Sequence, residues 1–339
     1  MSTELTRTAA EPTPPATAPS RLRSTGHSPP ADAAAPVPVR RIDYCGIADE
    51  AAVDLAGQLA ATRELGWRAI ELRTIDGQPV DLLSGPAFAR AAARIAEAGL
   101  TVPVIASRIG GWSRPISCDL DQELAELAVL GDRCAVLGTR YLRIMSYPNE
   151  DPVGGPLPEV EWEREVLRRT RVLAKHAADR GLVLLHENCA GWAGTDAGRA
   201  LRLLEAAGPE AFGFLFDTGN GAAHGYRPLD QLRTLAPYVR HVQVKDATGG
   251  PAAPEYTLPG QGEAAVADCL RLLLATGYQG HWSIEPHLSV RPHEQFRAEP
   301  ARCRADFAAC GQALRSLAEQ LAAADGTDWT CTAAGLAAC

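Results

Sequence analysis

Four successive apolar runs in this 339-residue chain end in carboxylate or amide side chains: Val183-Leu-Leu-His-Glu187, Gly213-Phe-Leu-Phe-Asp217, His241-Val-Gln243-Val-Lys245-Asp246 and His281-Trp-Ser-Ile-Glu285. Carboxylate oxygens gathered around one point suit a hard divalent cation, which prefers oxygen donors in roughly octahedral geometry. Two glutamates facing each other across a small substrate also suit proton transfer, one as base and one as conjugate acid. Glu187 and Glu285 are therefore the candidate catalytic pair, with Asp217 between them. Ion pairing of the same carboxylates with Arg143, Lys245 or Arg227 is the plainer alternative.

Such a row has meaning only if the elements bearing it converge. Each run is short, rich in β-formers and followed by a helical pattern, which predicts buried parallel strands. Four further strands are predicted ahead of them, at Arg41–Gly46, Ala69–Arg73, Val102–Ser107 and Tyr141–Ser146. Amphipathic stretches alternate with the strands as far as Ala323. Asp49, Asp119 and Asp196 stand where helix caps belong, and Pro86 and Pro228 fall in first turns. Eight β-then-α units predict a (β/α)₈ TIM barrel over residues 39–323, a fold whose chemistry sits at the C-terminal ends of its strands. A doubly wound sheet would usually carry a glycine-rich phosphate loop after its first strand, and Tyr44-Cys-Gly-Ile-Ala-Asp-Glu50 is not one.

Residues 1–38 are an Ala/Pro/Ser/Thr segment predicted to be disordered, because its few large apolar residues cannot offset the entropy of ordering it. Residues 324–339, with Cys331 and Cys339, are expected to form a flexible tail. A net charge of −8 argues against a nucleic-acid partner. Neither a membrane span nor a secretory signal is visible. Nine scattered cysteines, none in a C-x-x-C pair, point to reduced thiols and a cytoplasmic location.

Leu185-His-Glu187-Asn-Cys-Ala-Gly-Trp192, Phe216-Asp217-Thr-Gly-Asn220, His241-Val-Gln-Val-Lys245-Asp246 and Gly260-Gln-Gly-Glu263 with Ser283-Ile-Glu285 together resemble segments of the sugar phosphate isomerase/epimerase group in the xylose-isomerase-like TIM-barrel superfamily. Ile70-Glu71-Leu-Arg73 and Leu142-Arg143-Ile-Met-Ser146 match more weakly. The resemblance covers about residues 40–322. It implies a divalent metal ion, manganese first and magnesium, cobalt or zinc as alternatives, held by residues from strands five to eight. Carried over by position, the ligands are Glu187, Asp217, Gln243 and Glu285. The family's usual ligand at the third of these positions is histidine. Three readings stay open there: Gln243 binds the metal or a metal-bound water, His241 or His224 substitutes, or the site has lost its usual metal.

The implied activity is isomerisation or epimerisation, through an enediolate, of a keto-sugar, inosose or related polyol-like substrate. Loss of a β-hydroxyl from the same intermediate would make the protein a dehydratase. Candidate substrate-binding residues are Glu71, Arg143, Trp192, His224 and Lys245. Each has a structural alternative: a buried salt bridge for Glu71 and Arg143, loop packing for Trp192, and pairing with Asp246 for Lys245. His186 is expected to point away from the barrel axis, and Arg108 and Trp112 to lie in a lid-like loop. Two rivals are phosphodiester cleavage of the endonuclease IV type, which eight histidines and an acidic balance disfavour, and a repurposed barrel acting on or carrying a peptide tail. Homo-oligomerisation is left open.

Overall fold

The computed structural model describes residues 40–149, 155–324 and 328–338. The N-terminal segment expected to be disordered lies outside them. Seven strands pair in parallel in the order Val104–Ala106, Tyr141–Ser146, Val183–Gly191, Phe212–Asp217, Val239–Val244, Gly280–Ile284 and Arg41–Gly46. The predicted second strand, Ala69–Arg73, is present only as three parallel bridges: Ile47 with Glu71, Ala69 with Thr101 and Leu72 with Ile105. Those bridges join the two ends of the series, so the (β/α)₈ arrangement read from the alternation is the one observed.

Side chains alternate strictly along these strands. Val104, Val183, Leu185 and Leu215 form a small apolar cluster of their own inside the ring. Leu184, Phe214, Phe216 and Val242 belong instead to the large core between sheet and helices. Glu187 and Asp217 each stand two residues beyond an inward leucine. The period of two therefore delivers both carboxylates to the interior at the strand ends.

His186 falls on the other face, as expected, with its ring 6.0 Å from Phe214. It is 1% exposed, and neither ring nitrogen has a hydrogen-bond partner among the described residues. Burial pushes its pKa down to about 3. The folded protein thus keeps this ring neutral, while the unfolded chain protonates it near pH 6.5. Stability from this group is complete above about pH 6.5 and is lost as pH falls toward 3. His186→Leu should flatten the stability-versus-pH slope between pH 4 and 6 by about one proton, or ~1.4 kcal/mol per pH unit. Urea titrations at several pH values measure this, and an unchanged slope would refute it.

Two helix caps stand where the sequence put them: Asp119 accepts from Asp121 N, and Asp196 from Arg199 N at 2.9 Å. Asp49 is not a cap. The first α-helix, Leu55–Glu64, begins later and is capped by Asp54, which frees the Asp49 carboxylate for Arg73 and Thr74.

Within the segment expected to form a flexible tail, residues 329–338 are paired into the sheet. Trp329–Thr332 and Gly335–Ala338 form a hairpin whose second strand pairs antiparallel with Arg41–Asp43. The 69–73 segment meets the first strand only beyond Gly46, which leaves the strand's N-terminal half an open edge with unpaired backbone groups for the hairpin to take. Trp329 and Leu336 are buried there. A Cβ at position 335 would collide with the Ile42 carbonyl oxygen, so the close approach requires glycine. Among the described residues no helix is long and apolar enough to cross a membrane.

Candidate active site

Glu187, Asp217 and Glu285 converge as predicted, with one oxygen of each lying within 4.8 Å of the others. All three are buried, Asp217 completely. The cross-strand register places Gln243 beside both Asp217 and Ser283. A cavity of about 200 Å³ opens above them, and Arg73, Arg143, Cys189, His224, Lys245 and Tyr256 help to line it.

Lys245 Nζ stands 2.8 Å from Glu285 and 3.3 Å from Asp217. It does not pair with Asp246. That carboxylate accepts from the backbone N–H groups of Ala247, Gly260, Gly262 and Ala264, pinning the 260–264 loop. Strand alternation thus separates the Lys-Asp pair into a cation in the pocket and a loop anchor outside it. Gly219 leaves room for this arrangement, since a Cβ there would stand 2.7 Å from Lys245 Cγ.

The other carboxylates are also matched by cations. Arg143 lies 3.1 Å from Glu187, whose second oxygen accepts from Asn220 Nδ2 at 2.9 Å. Arg73 reaches Glu285 at 3.0 Å while its other nitrogens bind Asp49. Asp217 Oδ1 accepts from the backbone N–H groups of Gly219 and Asn220. Burial opposes ionisation of Glu285, but Lys245, His287 and Arg73 outweigh it and hold its carboxyl below the ordinary range. Burial also dominates at Asp217 and raises its pKa. The longer distance to Lys245 gives Asp217 less relief than Glu285 receives. Lys245 keeps its proton despite burial because Asp217 and Glu285 face it.

At the fourth ligand position, Gln243 Nε2 donates to Glu71 at 2.8 Å, and its Oε1 is buried without a partner. His241 lies deeper and gives its Nε2 to the other Glu71 oxygen, also at 2.8 Å. Neither His241 nor Glu71 lines the cavity. Of the readings open for Glu71, the buried pair is the one observed. His224 does line the cavity, with its ring nitrogen 3.6 Å from Cys189 Sγ. Trp192 does not, and its contacts match the loop-packing one of the two readings open for it. It is 1% exposed, donates to Glu159 and packs beneath Arg199 and Arg202.

Glu187, Asp217 and Glu285 are thus able to hold a divalent cation, whereas the Gln243 side chain is bonded to Glu71 and does not line the cavity. This all-oxygen set fits magnesium or manganese better than zinc, which favours nitrogen and sulfur. Lys245 is the competitor for the same carboxylates. Arg73, Asn220, His287 and Tyr256 were not anticipated. Arg73 and Asn220 carried a signal, since Arg73 closes the predicted second strand and Asn220 stands three residues beyond Asp217. His287 arrives on an irregular segment and Tyr256 on a three-residue strand, Glu255–Thr257, too short for a periodicity to mark it.

A relative, the inosose dehydratase of Bacillus anthracis, is 25% identical over 142 residues, which is 38% of this chain and 47% of the relative. The chain thus matches about half the length of that relative. The D-allulose 3-epimerase of Methylomonas sp., solved with D-allulose, superposes with a TM-score of 0.62 at 16% identity, covering 83% of this chain and 97% of the other. A xylose isomerase-like TIM barrel protein of Mycobacterium smegmatis, solved with magnesium, gives 0.58 at 18% identity, covering 82% and 97%. At these identities the structural likeness establishes the fold alone. The protein-family model for xylose isomerase-like TIM barrels matches residues 59–306, so the chain belongs to that family.

Proposed function

We propose that this barrel is a divalent-metal-assisted isomerase or epimerase that moves a proton on the carbon next to a carbonyl in a small polyol-like substrate. The observation that carries the reading is the convergence of Glu187, Asp217, Glu285 and Lys245 in one buried cluster at the strand ends, with Glu187, Lys245 and Glu285 lining the cavity. A magnesium or manganese ion held by the three carboxylates would supply Lewis-acid polarisation of the carbonyl.

The chain's own residues account for the proton. Glu187 is the acceptor, since Glu285 is held below the ordinary carboxylate range by Lys245, His287 and Arg73 and is a poor base. Lys245 supplies a fixed positive charge, already desolvated, for the oxyanion that grows as the proton leaves. Return of the proton by Glu187 to the neighbouring carbon is isomerisation. Delivery to the opposite face through Glu285, which takes a proton from solvent while Glu187 releases the abstracted one to solvent, is epimerisation, and Lys245 stays protonated throughout. Asn220 and Arg143 fix the Glu187 carboxylate on both oxygens, and Arg73 does the same for one oxygen of Glu285. A second reading, dehydration, is favoured by the inosose dehydratase relative; it uses the same proton removal, followed by loss of a β-hydroxyl.

Incubation with keto-hexoses and inososes in D₂O with Mg²⁺ or Mn²⁺, followed by proton NMR, tests the reading. The α-proton signal of at least one substrate should decay with enzyme present. Isomer signals then identify isomerase or epimerase, and an unsaturated product identifies dehydratase. No α-exchange across the panel would overturn the proposal.

A further inference from the structure

The catalytic cavity is not closed toward the first strands. A second cavity of about 520 Å³ adjoins it, and the two share Arg73, Trp112, Arg143, Met145 and Pro292 as walls. At about 200 Å³ the first falls below the roughly 300–1,000 Å³ usual for small-molecule sites, whereas the second lies within that range. A free keto-hexose needs no more than the first.

The second cavity differs in chemistry. Among the described residues, seven large apolar side chains are exposed, and three of them line it: Val53 at 44%, Trp112 at 50% and Phe296 at 39%. Scattered exposed apolar residues need no explanation, but a cluster beside a polar pocket marks a binding surface. Three of the four arginines on its wall are already paired with carboxylates: Arg73 with Asp49 and Glu285, Arg108 with Asp81 and Glu126, and Arg143 with Glu187. The fourth, Arg297, donates to the Asp49 backbone oxygen, so an anion would have a single arginine to meet, and the phosphate arm of the titration below reads that alternative directly.

We infer that the substrate is a conjugate: a polyol or keto-sugar unit that reaches the carboxylates, bearing an uncharged apolar substituent, aryl or alkyl, that lies against Trp112, Phe296 and Val53. The inference rests on the proposed function for the polar half and adds the chemical class of the other half. Trp112 and Phe296 act as specificity residues, because aromatic faces stack on flat apolar groups and on the apolar faces of sugars. Trp112 belongs to both cavities, so it borders the point where the two halves join.

Calorimetric titration of the full chain with phenyl and methyl β-D-glucopyranoside, and with glucose 6-phosphate, tests this. The phenyl glycoside should bind at least about tenfold more tightly than the methyl glycoside. That ratio should fall to within about twofold of unity in Trp112→Ala and in Phe296→Ala, both of which alter exposed side chains. Equal affinity for the two glycosides, or a phenyl preference that survives both substitutions, overturns the inference and leaves the proton-transfer reading standing. Tighter binding of the phosphate than of the phenyl glycoside also overturns it, in favour of an anionic substrate. If neither glycoside binds, the polyol reading itself fails, and this inference falls with it.

Discussion

Glu187→Gln and Glu285→Gln should each lower turnover by about 10²–10⁴-fold, the range by which a positioned acid or base accelerates proton transfer. Loss at Glu187 should fall mainly on kcat, since that carboxylate performs the abstraction and the amide retains its shape. Glu285→Gln also unbalances Lys245, which keeps only Asp217 at 3.3 Å, so both kcat and KM should change. Glu187→Gln gives up one charge-assisted contact, from Arg143, and Glu285→Gln two, from Lys245 and Arg73. A melting temperature lower by a few degrees with an unchanged circular dichroism spectrum is therefore expected. Rates of α-proton exchange in D₂O measure the step directly. Exchange at wild-type rate in both variants would remove the glutamates from the mechanism, whatever the substrate.

Lys245→Met should make the stability of the fold depend on a divalent cation. The ammonium is 3% exposed and lies between two buried carboxylates. Removing one partner of a buried ion pair costs about 3–5 kcal/mol, because the remaining charge is left uncompensated. The same removal takes away the repulsion felt by an incoming ion, worth about 4 kcal/mol per pair of unit charges at 4 Å and an effective dielectric of 20. In EDTA the variant should melt well below the wild type. Added Mn²⁺ or Mg²⁺ should restore much of the difference and bind at least about tenfold more tightly than to the wild type; occupancy at a hundred times Kd contributes about 2.7 kcal/mol. Melting curves with and without cation decide the matter independently of turnover. A variant as stable as the wild type in EDTA would show that Lys245 does not balance these carboxylates.

The inward placement of Glu187 and Asp217 was legible because Leu185 and Leu215 stand two residues before them, and a period of two leaves no other choice once the strand is buried. Gln243 was legible as a position but not as a contact. Its partner Glu71 lies on a segment far away in the chain, and only closure of the ring brings them together. Arg73 illustrates the same limit: its side chain spans Asp49, on the loop after the first strand, and Glu285, on the last barrel strand. Local pattern identifies neither distance. The hairpin was missed for a different reason. Gly335-Leu-Ala-Ala338 lacks the branched and aromatic residues that mark strands, and its pairing is dictated by the open edge at Arg41–Asp43 rather than by its own composition. Trp192 was left with two readings because a loop tryptophan after a strand end has two apolar destinations, and the arginines it packs beneath, Arg199 and Arg202, lie on the following helix.

That hairpin also bears on the order in which the molecule is built. Ile42 pairs with Gly280, and Arg41 with Ala337, so both neighbours of the first strand's N-terminal half come from far along the chain. At roughly 5–20 residues per second of synthesis, the strand waits on the order of tens of seconds for its partners. Through that interval Ile42 and Tyr44, fully buried in the finished protein, have no sheet to enter. Long-range pairing of this kind slows folding and leaves sticky edges open to other chains. The Arg41–Gly46 strand, synthesised ahead of the other barrel strands described, is thus among the last to complete its pairing.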